Sequence, residues 1–349
     1  IAISNVALVF SSYFWGKKSQ SMGRKPVFII GLFSYAIAYA LFAFGIQIGL
    51  WGLLTSWQLF SLLFIIRLLY GSLIGGIQPA ATAYISDTTD ETTRIKGMAL
   101  IGMASGIGTI IGPIVGGGLA FIHPIFPLYF GAGIAVLGGI LSMKFLIEPK
   151  QQTPVSKTGN LKFYDKRIMP YLIGWGLVFL VFTATQVIAA FFIEDRLGVA
   201  TQSEIIKATS ISLLSMAFTT TLMQAVVLQI IDVSPKTLLR LCFFIFGSAL
   251  FTIPMATSLA HFYLAFAGIG IAFSMVTPGL NSAATLSVEP HEQGEVAGLL
   301  SAAPVVGMIF GPTIGALLYT TNPTYPFLFG SVVAIVLGIY FQFVKIPNI

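Results

Sequence analysis

GIGTIIGPIVGGGLAFIHPIFPLYFG, residues 106–131, decides how the rest of the chain is read. Gly108, Gly112 and Gly116 recur every four residues, which puts them on one face of a helix. The same stretch returns as GMIFGPTIGALLYTTNPTYPFLFG, residues 307–330, at a constant offset of 199. Gly112-Pro113 becomes Gly311-Pro312, Gly116 becomes Gly315, and the loop prolines Pro124 and Pro127 become Pro323 and Pro326. From 108 to 140, 13 of 33 positions are identical at that offset, so the chain contains an internal duplication.

The solvent follows from composition. Hydrophobic residues make up 56% of the 349 and charged residues 9%, with a mean hydropathy of +0.92. A soluble domain carries roughly 25% charged residues, so this chain belongs in a bilayer. The lone Cys242 rules out a disulfide framework, and three isolated histidines offer no metal site. No Walker lysine loop or cofactor motif occurs, and no His, Asp or Cys cluster of a membrane enzyme.

A helix needs about 20 apolar residues to cross a bilayer. That ruler gives eleven spans: 1–13, 26–48, 59–84, 98–121, 127–147, 168–193, 205–231, 238–256, 262–286, 296–320 and 325–344. The polar stretch 148–167 divides them into an N-terminal half, 1–147, and a C-terminal half, 168–349. At the 199 offset the span starting at Ile168 has its partner before residue 1. The expectation is therefore a parent of twelve spans, six and six, with the first helix and roughly 20–45 residues missing. Residues 1–147 would then hold spans 2–6 and residues 168–349 spans 7–12. Six spans per half make the duplication a parallel repeat.

Fifteen of the eighteen Lys and Arg fall on one side of these spans, in the first loop, the third loop, the 148–167 linker and around Lys236, Arg240 and Lys345. The other side has Arg196 and Lys207, and Arg67 lies within a span. By the positive-inside rule the linker and first loop are cytoplasmic. A pI near 9.3 is thus orientation, not nucleic-acid binding.

The first loop reads GKKSQSMGRKPVF, residues 16–28, and the third span contains LFIIRLLYGSLIGG, residues 63–76. With the glycine stretch, these resemble the major facilitator superfamily, most closely its twelve-span drug–proton antiporter branch. The loop matches that family's first motif at Gly16, Gly23, Arg24 and Lys25, but has Gln20 and Ser21 where the motif has Asp and Arg. Arg67, Gly71 and Gly75 match the second motif; Gly108, Gly112, Pro113, Gly116 and Gly117 match the third, associated with export. In the family the motif's Asp helps latch the two halves, so Gln20 removes an ion pair. Asp87 remains as a partner for Arg24.

The resemblance implies an all-α polytopic membrane protein of two six-helix halves, a secondary transporter rather than an enzyme. It implies export of small organic molecules by alternating access, with protons as the coupling ion; the alternative is an importer or facilitator of sugars, organic acids or peptides. It further implies a monomer in a bacterial inner membrane, with a small-molecule substrate and the lipid bilayer as partners, and no cofactor or nucleic acid.

Arg67 is the sharpest single residue. It lies nine residues beyond Gln58 at the outer interface, hence roughly 13 Å deep, and an Arg at midplane costs about 2.5–3.5 kcal/mol on insertion scales. It must face a cavity or a partner: in one reading substrate or a carboxylate on the missing first span, in the other neighbouring helix carbonyls. Tyr70, Ile74 and Gln78 continue near its face. A second polar–aromatic stripe runs Trp175, Phe179, Thr183, Gln186, and a third Ser274, Pro278, Asn281. Such stripes suit either a satisfied bundle interior or a site for amphipathic compounds. All twelve carboxylates fall at loops or helix ends. The glycine faces of the two repeat copies, bent at Pro113 and Pro312, are expected to meet each other as sliding surfaces, with Gly112→Leu blocking transport.

Overall fold

A bilayer core offers no water to hydrogen-bond an unpaired amide, so a chain this apolar resolves into helices. The computed structural model describes residues 2–149 and 161–346, and among these there is no β-strand. The elements are α1 (Ala2–Met22), α2 (Arg24–Leu50), α3 (Ser56–Ile74), α4 (Ile77–Thr88), α5 (Arg94–Ile122), α6 (Phe126–Phe145), α7 (Met169–Leu197), α8 (Gln202–Leu222), α9 (Leu228–Ile230), α10 (Pro235–Thr252), α11 (Leu259–Leu286), α12 (Gln293–Thr321) and α13 (Tyr325–Phe343). A π-helical turn, Met223–Val227, joins α8 to α9. Among the described residues ten segments are long and apolar enough to cross a membrane, with α3 and α4 together forming one of them. Linker residues 150–160 lie outside the described residues.

Helix boundaries differ from the sequence expectation in two places. The first loop of 16–28 is no loop: α1 runs to Met22 and α2 starts at Arg24, with Gly23 alone between them at φ 97°. A left-handed φ costs a non-glycine residue steric energy, so one glycine does what a loop was expected to do. The span 59–84 is two helices, broken at Gly75 and Gly76.

The chain forms two compact units. Unit 1 comprises residues 1–88, 111–162 and 288–305; unit 2 comprises 89–110, 163–287 and 306–349. Within unit 1, α1 packs on α3, and α2 packs on α3, α4 and α6. Small residues allow this: Ala36, Ala132 and Ala135 form a buried core under Tyr35 and Tyr39. Ser11 Oγ donates to the Gly71 carbonyl at 2.7 Å and Trp15 Nε1 to the Ser72 carbonyl at 2.9 Å, tying α1 to α3. Within unit 2, α10 packs between α11 and α13, and α8 packs on α11. Its core is aromatic, with Phe192 edge-on to Phe327 at 4.9 Å and Phe243 stacked on Phe341 at 5.0 Å. Large apolar side chains left outside, among them Trp57, Leu264 and Phe343, form the lipid-facing surface.

The two copies of the glycine stretch pack differently. Both α5 and α12 stay helical through Pro113 and Pro312, though the side chain of Pro113 lies outside the described residues. In the second copy a Cβ added at Gly311 would meet Thr183 Oγ1 and the Leu180 carbonyl of α7, and one at Gly315 would meet Ala184. In the first copy, among the described residues, nothing lies within 4 Å of a Cβ added at Gly108, Gly112 or Gly116. The second face is thus a seam to α7, whereas the first, among the described residues, shows no such contact at these three positions. Gly311→Leu is accordingly expected to lower thermal stability sharply, by about 1–3 kcal/mol or more for an overpacked contact, whereas Gly112→Leu shifts the melting temperature little. Detergent-solubilised melting curves of the two variants check this, and equal shifts would contradict it.

Candidate transport site

The polar–aromatic groups form one cluster in each unit. In unit 1, Arg67 on α3 sits over the ring of Phe42 on α2, 3.9 Å from guanidinium carbon to centroid, and 5.8 Å from the ring of Tyr70. Tyr35 and Tyr39 stack at 4.3 Å, and Tyr70 packs against both at 5.8 and 5.6 Å. Among the described residues no carboxylate lies within ion-pair distance of Arg67. The cation is thus held by ring quadrupoles, an interaction worth about 0.5–2 kcal/mol and most when water is excluded. Gln78 lies on α4, beyond the Gly75–Gly76 break, exposed and outside this cluster.

In unit 2, Trp175 Nε1 on α7 donates to Asn281 Oδ1 on α11 at 3.1 Å, both side chains buried. Phe179 packs against Trp175 at 5.4 Å and Phe273 at 6.0 Å, and Phe182 lies 4.9 Å from Phe273. Gln186 is exposed and does not join them. Thr183 instead binds the seam, donating to the Phe179 carbonyl at 2.7 Å and approaching the Gly307 carbonyl at 3.2 Å. The sequence reading missed Tyr35, Tyr39, Phe42, Phe182 and Phe273. The first three were readable: they recur at four- and three-residue steps along α2, the spacing of one helix face.

A charged cluster closes one end of unit 1. Arg24 is buried; its Nε donates to Asp87 at 2.7 Å and its NH1 to Ser19 Oγ at 2.6 Å. Glu148 accepts the backbone N–H of Arg24 at 2.6 Å and of Lys25 at 2.8 Å, satisfying first-turn amides of α2 that have no helical partner. Lys25 Nζ donates to the Met143 carbonyl in the last turn of α6 at 2.8 Å. Gly16 and Gly294 let α1 and the start of α12 approach backbone to backbone, with Gln20 and Arg24 against Gly294. Next to them Glu295, whose side chain is 0% exposed, faces Lys17 Nζ at 3.4 Å and accepts the Leu161 N–H at 2.6 Å. Sequence reasoning placed Glu295 at a helix end and so missed its burial, which is set by the glycine contact beside it.

Membrane-spanning helices with a polar–aromatic cluster in each unit and a charged cluster at one end of unit 1 suit a membrane transport protein. Comparison with known proteins makes this specific. The sequence profile of the Major Facilitator Superfamily matches residues 1–233 and 202–348, and the chain belongs to that family. It is 27% identical over 354 residues to multidrug resistance protein 2 of Bacillus subtilis, covering 96% of this chain and 83% of that protein. It is 26% identical over 348 residues to the class B tetracycline resistance protein of Escherichia coli, covering 93% and 79%. Among solved structures, the human organic anion transporter MFSD10 superposes with a TM-score of 0.76 at 20% identity, covering 98% and 82%. The E. coli fucose:proton symporter FucP superposes with 0.77 at 16% identity, covering 98% and 90%.

The Lys17–Glu295 pair gives an asymmetric expectation. Lys17 is 40% exposed and can hydrate when unpaired, whereas Glu295 cannot. Lys17→Ala, which strands a buried carboxylate, should therefore destabilise more than Glu295→Gln. Melting temperatures of the two single variants read this directly; a larger loss in Glu295→Gln would refute the assignment.

Proposed function

We propose that this protein exports small amphipathic organic molecules by alternating access, driven by proton entry. The carrying observation is Arg67: a cation within a span, held on Phe42 and Tyr70 and, among the described residues, matched by no carboxylate. A site of this kind favours flat, partly apolar compounds bearing a negative or zwitterionic group, which stack on rings and meet one fixed charge. The direction of transport is supported by the resistance proteins to which nearly the whole chain is similar. Fold neighbours include a symporter, so import of a small solute is the competing reading.

In this reading Arg67 is a binding group of the N-terminal half, 1–147, and Trp175, Phe179 and Asn281 are binding groups of the C-terminal half, 168–349. The 148–167 linker lies on the cytoplasmic side in this reading. Two carboxylates are poor proton carriers. Thr92 and Thr93 hydrogen-bond Asp90 and hold its carboxyl down at about 2; Arg167 holds Asp165 below its usual range. Both stay ionised at any physiological pH. Glu295, buried against Lys17 where Gly16 meets Gly294, is better placed to act on the α1–α12 contact.

Transport into inside-out vesicles of a fluorescent amphipathic compound, under an imposed proton gradient, tests the reading. Arg67→Ala should lower the rate at least tenfold with membrane insertion unchanged. Glu295→Gln should lose gradient dependence while retaining exchange. Uptake only in right-side-out vesicles would establish import instead, and wild-type rates in Arg67→Ala would remove Arg67 from the site.

A further inference from the structure

We propose that unit 2 carries a separate binding site for the phosphate of an anionic phospholipid headgroup, at the membrane end where α7 begins and α11 and α13 finish. A cavity of about 690 Å³ lies there, lined by Lys166, Arg167 and Lys345 together with Tyr171 and Ser287. Ser287 caps α11 and Val344 caps α13, so the cavity sits at the ends of bilayer-crossing helices, the depth of lipid headgroups.

The charge count favours an anion. Asp165 is occupied by Arg167, accepting from Nε at 3.1 Å and from the terminal nitrogen at 2.9 Å. Lys166 and Lys345 are exposed, and among the described residues neither has a carboxylate within ion-pair distance. Two uncompensated ammonium groups therefore converge on one concavity with a guanidinium held in place by its partner. The lining is polar as well: Tyr171, 1% exposed, and Ser287 both border the cavity, with Ser287 Oγ donating to the Tyr171 hydroxyl at 3.3 Å. The helix start itself is not the site, because the Ile168 and Met169 amides are already bonded to the Asp165 carbonyl at 3.0 and 2.9 Å. Side chains do the binding.

The apolar wall selects a lipid over a free anion. Tyr340, Phe343 and Ile346 line the same cavity, and Phe343 is 82% exposed. Rings at a membrane interface rest against glycerol and the first acyl carbons, a feature that inorganic phosphate would not use. Basic pockets between membrane helices recognise anionic headgroups in this way. The site depends on the chain's place in the membrane, not on the direction of transport.

The test titrates purified full-length chain in detergent with phosphatidylglycerol and reads bound lipid by native mass spectrometry. One basic residue near a membrane surface contributes about fivefold in affinity, so K166Q/K345Q should bind on the order of 25-fold more weakly. Both residues are exposed, and an unchanged melting temperature confirms folding. Lys207, on α8, does not line the cavity, and K207Q should bind as wild type does. Phosphatidylcholine should bind far more weakly than phosphatidylglycerol to the wild type. Equal phosphatidylglycerol binding by the double variant, or equal retention of phosphatidylcholine, overturns the proposal. Inorganic phosphate that competes as well as the lipid, mole for mole, makes this a soluble-anion site and overturns the lipid assignment.

Discussion

A backbone amide in hydrocarbon must find its partner inside the protein, and that constraint shapes everything else in this chain. It requires helices, and then leaves little to hold them together, because lipid tails solvate leucine as well as another helix does. Cohesion has to come from close approach. Where Gly16 meets Gly294, or Gly311 meets the Leu180 carbonyl, backbones come near enough for dispersion and weak hydrogen bonds to act. Hydroxyls fold back on their own helices, as Ser86 does to Thr82 at 3.0 Å and Ser301 to Ala297 at 2.8 Å, so that few polar groups are left facing lipid. The interior is then a place where a stray polar or charged group stands out.

Glycine at close contacts also has a consequence for motion. A glycine–backbone contact has no interlocking side chains, so a helix can slide along it with little steric barrier, while a leucine-packed surface must repack in steps. The α1–α12 approach has this character, and the groups around it are charges: Lys17, Arg24, Asp87, Glu148 and Glu295. Ion pairs therefore add to shape in holding this contact.

Much of this was legible in the sequence. Hydropathy located the spans because length and composition are one-dimensional properties. The 199-residue repeat exposed the duplication, and Arg67 was conspicuous because an isolated charge in an apolar run has no innocent explanation. Asp87 was readable as a counter-charge for Arg24 because both lie at ends of spans on one side. What stayed hidden depends on three-dimensional proximity. A single glycine at φ 97° replaces a loop expected over 16–28, since conformational strain at one residue leaves no compositional trace. Tyr35, Tyr39 and Phe42 look like ordinary apolar helix until α3 sets Arg67 against them. The glycine periodicity around Gly112 was real, but periodicity shows a face and not what covers it. Glu295 is polar, near a helix start and thus read as exposed, and only the backbone contact beside it buries the carboxylate.

The basic residues of this chain fall into three energetic regimes. Arg24, buried, requires full compensation and has it from Asp87 and Ser19. Arg67, within a span, receives partial compensation from rings, which stabilise a cation without neutralising it. That difference underlies the proposed site: a cation paired with a carboxylate has little field left for a guest, whereas one resting on rings keeps most of its own. Lys166 and Lys345, at the interface, need no protein partner because water solvates them, and they pay desolvation only when a ligand brings its own charge. The degree to which each cation is left uncompensated thus ranks its readiness to bind something from outside, and that ranking is the physical basis of the roles proposed for Arg67 and for the Lys166–Lys345 pair.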